Sequence, residues 1–172
     1  PLVYTVSSFQ LQLCFPGGIA DSVRLGRTFG YARLQSKLLV AVVLHHREHY
    51  SAGLLMRTDA LGCWSAVHGD SLAGTHPTDE LLRPLCNYLN DGGGGACGTV
   101  AVPQQPNGAD CAVYAHLVIA CALRWVAGAG AAPGRFADFV HATCFTHADA
   151  VAWRLQMRTT LQAAAALPPP AV

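Results

Sequence analysis

Three apolar runs follow one another between Leu38 and Val67, and they constrain the fold more than any other feature of the chain. Leu38 to Leu44 (LLVAVVL) is continuously apolar, partly β-branched, and stops at the polar His45-His46-Arg47-Glu48, which is the pattern of a buried strand. Tyr50 to Met56 resumes as a second strand, Thr58-Asp59 reads as a turn, and Leu61 to Val67 forms a third before the break at Gly69-Asp70. Too few residues separate these runs for the crossovers that parallel strands need, so the three predict an antiparallel meander. Everything else in the chain must be fitted around that sheet.

The 172 residues are 52% hydrophobic and 12% charged, enough apolar material for one sizeable core. No repeat of twenty to fifty residues divides the chain. We therefore expect one domain over residues 1–167 and a Pro-rich tail over 168–172. The chain opens at Pro1 without Met or an apolar leader, and reads as a segment whose natural N-terminus is missing. Net charge is +1 and the eleven Lys and Arg are scattered, so no nucleic acid and no acidic membrane surface is expected as a partner. The apolar runs fall short of the ~20 residues of a membrane helix. Seven cysteines, an odd number with no C-x-x-C pair, point to a reducing compartment in which each is first read as a small buried hydrophobe.

Beyond the meander, Leu81, Leu82, Leu85, Tyr88 and Leu89 keep helical spacing, with Pro84 either kinking that helix or sitting in its first turn. Asp91 to Gly95 reads as a flexible loop, because four glycines without a following Lys-Ser/Thr lack the chemistry of a phosphate cradle. Thr99 to Val102 alternates as a short strand that stops at Pro103, and Gln104 to Asp110 is too rich in Pro, Asn and Gly to be regular. From Cys111 to Val126 the pattern is helical again, with Asp110 as a good cap residue. Arg135 to Cys144 predicts a short helix. Thr146 with Asp149 predicts a capping box that opens a last helix ending before Pro168.

Cys111 thus opens a helix, where the positive end of the dipole and the free backbone N–H groups favour thiolate over thiol. A thiolate nucleophile needs a base to reprotonate the leaving amine, and His49, at the mouth of a strand, is placed to be that base. The imidazole in turn needs a carboxylate to fix its tautomer; Asp70 lies where a neighbouring strand ends. For the developing oxyanion, the Cys111 N–H is one donor and Gln105 on the preceding loop is the candidate for another.

The string Pro103-Gln104-Gln105-Pro106-Asn107-Gly108-Ala109-Asp110-Cys111 closely resembles the P-Q-Q-x-N-G-x-D-C nucleophile loop of the SUMO-specific proteases, the Ulp/SENP cysteine peptidases. His49-Tyr50-Ser51 resembles the family's His-Trp-Ser and Asp70-Ser71 its Asp-Ser; Val113-Tyr114 fits the helix after the nucleophile, and Trp153 to Arg158 resembles the final helix. The resemblance implies an α+β, papain-like cysteine protease fold with a central, mainly antiparallel sheet flanked by helices. It assigns Cys111 as nucleophile, His49 as general base and acid, Asp70 as orienter and Gln105 as oxyanion donor. The implied reaction cuts after the C-terminal Gly-Gly of a SUMO-like modifier through a thioester, without metal or cofactor. The partners it implies are a ubiquitin-like protein and its lysine conjugates, met by a monomer in the nucleus or cytoplasm. Three positions depart from the family. Tyr50 stands where Trp usually roofs the tunnel for the Gly-Gly tail, Ala112 replaces the Gly after the nucleophile, and a second tunnel Trp would fall at or before Pro1, ahead of a segment resembling Thr5 to Leu13.

Other readings compete. Gly69-Asp70-Ser71-Leu72 spells the signature of GDSL esterases, with Asp138-Phe139-Val140-His141 as their Asp-x-x-His, which would make Ser71 the nucleophile; those enzymes carry the block near the start of a parallel α/β domain, not after a meander. His45 and His49 have the spacing of helical zinc ligands but lie by a strand, and His141, Cys144 and His147 are read as an ordinary surface with a buried thiol. The non-enzymatic alternative is a protease-like module that holds a ubiquitin-like protein without cutting it.

Overall fold

In the computed structural model the meander runs as β2 (Leu39–His46), β3 (His49–Arg57) and β4 (Trp64–Gly69), flanked by β1 (Val3–Val6) and β5 (Cys97–Val100). Residues 3–6, 30–46, 48–57, 62–75, 77, 82–128 and 145–166 are described. The sheet order is β1-β2-β3-β4-β5. Its three central strands are antiparallel as expected, and each edge strand is parallel to its neighbour, so the sheet is mixed. The strands run further than the apolar runs do. His46 pairs with His49, and between them Glu48 takes the left-handed backbone, φ 62°. A two-residue hairpin demands such angles, which the hydrophobic pattern does not report.

Each face of the sheet has its own apolar cluster. Ala41, Ala52, Leu54, Met56 and Val67 meet Tyr114, Ala115, Leu117, Val118 and Ala122 of the long helix (Cys111–Gly128). Over its 18 residues that helix is apolar enough to cross a membrane by length and composition, and 44% of it is buried inside the fold. On the other face Val40, Val42, Leu44, Leu55 and Ala66 pack with Leu34, Trp64, Leu82, Leu85, Cys86 and Leu89. These come partly from α1 (Tyr31–Gln35) and α2 (Arg83–Leu89); with the long helix as α3, the last is α4 (His147–Ala165).

Pro84 sits in the first turn of α2, where its missing N–H costs nothing. The capping box of α4 forms as read, with Thr146 N and Oγ1 both 2.7 Å from Asp149 Oδ2 and Asp149 N donating back to Thr146 Oγ1 at 3.3 Å. Helix α1 has no counterpart in the sequence reading. Five residues without a side-chain cap carry no periodic signal; Gln35 anchors it instead, accepting from Trp64 Nε1 at 3.0 Å and donating to Tyr31 Oη at 2.8 Å. The expected turn at Thr58-Asp59, the helix over Arg135 to Cys144, Asp138 with His141, most of Thr5 to Leu13 and the Pro-rich tail lie outside the described residues.

The glycine loop is less free than its composition suggests. Asn90 brackets Trp64 through both of its backbone groups, accepting from the N–H at 2.8 Å and donating to the carbonyl at 2.9 Å. Gly95 passes so close that a Cβ there would stand 2.2 Å from the Trp64 carbonyl oxygen and 2.5 Å from Cys86 Sγ. Backbone cannot yield as a side chain can, so Gly95→Ala is expected to destabilise the fold by ~2 kcal/mol or more, read as a lower urea midpoint. Gly94→Ala, where a Cβ meets nothing within 4 Å, should shift it by less than ~0.5 kcal/mol.

Candidate active site

The ends of β3 and β4 bring His49 and Asp70 together. His49 Nε2 lies 2.6 Å from Asp70 Oδ1, and both side chains are about nine-tenths or more buried, at 6% and 10% exposure. An ionised carboxylate only accepts, so Nε2 carries the proton, and Nδ1 is the nitrogen that acts as acceptor. Burial by itself raises the Asp70 carboxyl, but a hydrogen bond from the Leu72 N–H at 3.0 Å, the His49 bond and the electrostatic pull of the His49 and His68 imidazoles outweigh it and hold the group below the usual carboxylate range. Two residues along each strand from these positions the core begins again: Ser51 and His68 are buried and bonded to each other, Oγ to Nε2, at 2.7 Å.

The segment after Asp70 also holds the loop that precedes Cys111. Gln105 N donates to the Ser71 carbonyl at 2.9 Å, Gln104 Nε2 to the Asp70 carbonyl at 3.2 Å, and Ala73 N to Gln104 Oε1 at 2.9 Å. Ser71 Oγ donates to Gln105 Oε1 at 2.7 Å, while Gln105 Nε2 donates to the Asn107 carbonyl. Irregular backbone is thereby fixed without a ladder, which is how a loop of Pro, Asn and Gly becomes a rigid one.

Asn107 then shapes the approach to α3. Its Oδ1 accepts from Ala109 N at 2.9 Å and Asp110 N at 3.1 Å, and its Nδ2 donates to Asp110 Oδ2 at 2.9 Å. Asp110 stands at the cap position, its carbonyl accepting from Tyr114 N at 3.1 Å. Its carboxylate turns away from the helix it heads, to Asn107 and to Arg154 Nη1 of α4 at 2.7 Å. The Asn107 bond, with the Arg154 charge behind it, overcomes burial and keeps the Asp110 carboxyl below its ordinary value. The last helix is thus tied to the loop before Cys111, and a second tie joins Tyr114 Oη to His147 Nδ1 at 2.6 Å. Neither Asn107 nor Arg154 stood out as functional in the sequence; the signal was the Asn-x-x-Asp spacing, which permits the ring that the side chains close.

Cys111 is the first residue of α3 and is 5% exposed. Gln105, at 8%, and His49, at 5%, are buried as well. The other described cysteines have different settings. Burial, with Cys97 beside it, pushes the Cys86 thiol up to about 12, so that sulfur stays protonated and inert; Cys121 accepts from Arg124 at 3.1 Å.

Tyr50 packs against the α3-side cluster and stacks on His45 across the hairpin, ring centroids 4.5 Å apart at 29°. That places His45 on β2 as a brace for an aromatic side chain rather than on a helix with His49. Ser71, the esterase candidate, is 3% exposed and its hydroxyl proton points to Gln105, not to a base.

Comparison with solved structures agrees with this layout. A de-sumoylating protease matches over 93% of the chain and 69% of its own length, at 20% identity and a TM-score of 0.66. The Xanthomonas campestris effector XopD, solved bound to ubiquitin, matches over 84% and 71%, at 16% identity and 0.63. The Ulp1 protease domain in complex with Smt3, the yeast ortholog of SUMO, matches over 81% and 63%, at 18% identity and 0.54. The fold is that of the SUMO proteases. No protein-family profile and no curated sequence matches the chain, as is consistent with identities this low.

Proposed function

We propose that this chain is a cysteine protease that cleaves after the C-terminal Gly-Gly of a SUMO-like modifier, in precursors or in conjugates to lysine. The observation that carries the reading is the 2.6 Å His49–Asp70 bond in a fold where a rigid loop delivers a cysteine to the start of the central helix. In this reading Cys111 Sγ attacks the glycine carbonyl while its proton resides on His49 Nδ1, and Asp70 holds the imidazolium. The oxyanion is met by the Cys111 N–H and Gln105 Nε2. His49 gives the proton to the departing amine, leaving a thioester that water hydrolyses with His49 now as base.

Burial supports the substrate class. Cys111 is 5% exposed, which suits a slender extended tail better than a bulky side chain. Gly-Gly is the slimmest tail a protein can offer. Tyr50, braced by His45, is the aromatic available to cover it. Ubiquitin on XopD and Smt3 on Ulp1 support a ubiquitin-like partner, and such a partner would be met in the nucleus or cytosol.

The test is incubation of the folded chain with SUMO, NEDD8 and ubiquitin precursors that extend past Gly-Gly. Release of the extension with a product ending in the second glycine, blocked when that glycine is replaced by valine, is expected for at least one. If every precursor and a panel of lysine conjugates stay intact, the reading gives way to that of a binding module.

A further inference from the structure

We propose that Ser71 is a positioning residue for the oxyanion hole: its hydroxyl gives Gln105 Oε1 its donor and so holds the amide with Nε2 free to face the reacting carbonyl. The proposal rests on the reading of Gln105 as oxyanion donor and adds what makes it a donor. A side-chain amide can be turned over at small cost, and the wrong orientation would place a carbonyl oxygen, with its partial negative charge, where negative charge develops.

Here the account of the amide's hydrogen bonds is nearly closed. Oε1 accepts from Ser71 Oγ at 2.7 Å, and one Nε2–H goes to the Asn107 carbonyl. The Asn107 carbonyl can only accept, so it selects the orientation with Nε2 toward it. The Ser71 hydroxyl, which can donate or accept, then gives Oε1 its donor and holds that orientation, leaving the second Nε2–H for the substrate. Ser71 and Gln105 are 3% and 8% exposed, so water does not substitute readily for the missing partner.

The backbone reinforces the selection. Gln105 N donates to the Ser71 carbonyl at 2.9 Å, so the hydroxyl and the amide are held face to face by a second bond between the same two residues. Ser71 directly follows the carboxylate that orients His49. The proton-transfer half of the site and the charge-stabilising half therefore hang on two consecutive residues at the end of β4, and a shift of that strand end moves both together.

The experiment compares Ser71→Ala, Gln105→Ala and the double variant, using the 7-amido-4-methylcoumarin derivatives of SUMO, NEDD8 and ubiquitin. Gln105→Ala should lower kcat by ~100-fold, and Ser71→Ala by ~10-fold with KM within about twofold. In the Gln105→Ala background Ser71→Ala should add less than about twofold, because its effect passes through the amide. An unchanged kcat in Ser71→Ala, or an equal loss in both backgrounds, overturns the proposal.

The free protein gives a readout without turnover. The two Gln105 side-chain amide proton resonances should shift and broaden in Ser71→Ala, and their persistence unchanged also overturns the proposal. Should Gln105→Ala leave kcat intact while those resonances respond to Ser71, the oxyanion reading fails and the orientation stands. If Ser71→Ala does not fold, Ser71→Cys, similar in size but a far weaker donor, makes the same comparisons.

Discussion

Cys111→Ser is expected to lower hydrolysis of a Gly-Gly-terminated substrate by on the order of 10⁴-fold or more while the protein stays folded and still binds it. A hydroxyl is a far weaker nucleophile than a thiolate, and it stays un-ionised where a thiol would give its proton to the same imidazole. The fold tolerates the change because it removes little volume at a position that is buried but lies at a helix start, where free N–H groups can donate to a hydroxyl oxygen. Single-turnover kinetics with thermal unfolding in parallel checks both halves. Retained hydrolysis in Cys111→Ser would remove the nucleophile from the account.

Asp70→Asn is expected to lower kcat by ~10³–10⁴-fold with a much smaller change in KM. The 2.6 Å bond requires His49 to keep its proton on Nε2. An amide can present its NH₂ group instead, which moves the proton to Nδ1, the nitrogen that must accept it from sulfur. The same substitution changes acid stability. Asp70 titrates below the ordinary carboxylate value in the fold, so its contribution is present in full above the unfolded value of about 3.9 and is lost as pH falls through the lower folded one. Wild type should therefore exceed Asp70→Asn in stability at pH 7, and the gap should close below about pH 4. A constant gap from pH 7 to pH 2, measured by urea unfolding, contradicts the assignment of Asp70 as a buried, ionised partner of His49.

Much of this was legible in the sequence because the strong signals are local. Leu38 to Leu44 and the runs after it announce a meander through apolar content alone, and Thr146 with Asp149 spells a capping box within four residues. The loop before Cys111 stood out by resemblance, since its string of Pro, Gln, Asn, Gly and Asp is rarely assembled for packing. What stayed hidden depends on partners distant in the chain. The parallel pairing of β4 with β5, the role of Gly95 against Trp64 and the Asp110–Arg154 tie all join residues that no spacing rule connects. Asp110 shows the difference within one residue: its place as cap could be read, but its carboxylate serves a helix that begins 36 positions after Cys111.

Ser71 makes the same point for the site. In sequence it offers a choice between turn residue and esterase nucleophile, and neither choice mentions Gln105, 34 positions away. The structure resolves it through one hydrogen bond. The loop residues whose identity seemed fixed by chemistry are held by a segment that looked like a simple break after a strand.

The central claim, that Cys111 is a nucleophile reached by a Gly-Gly tail, is tested most directly by covalent trapping. SUMO, NEDD8 and ubiquitin carrying a C-terminal propargylamide would each be incubated with the folded chain, and intact mass recorded for wild type and Cys111→Ala. The account predicts a mass increase equal to one modifier, with at least one of the three, in wild type only, localised by peptide mapping to Cys111. An adduct that persists in Cys111→Ala, or no adduct with any of the three, would contradict it.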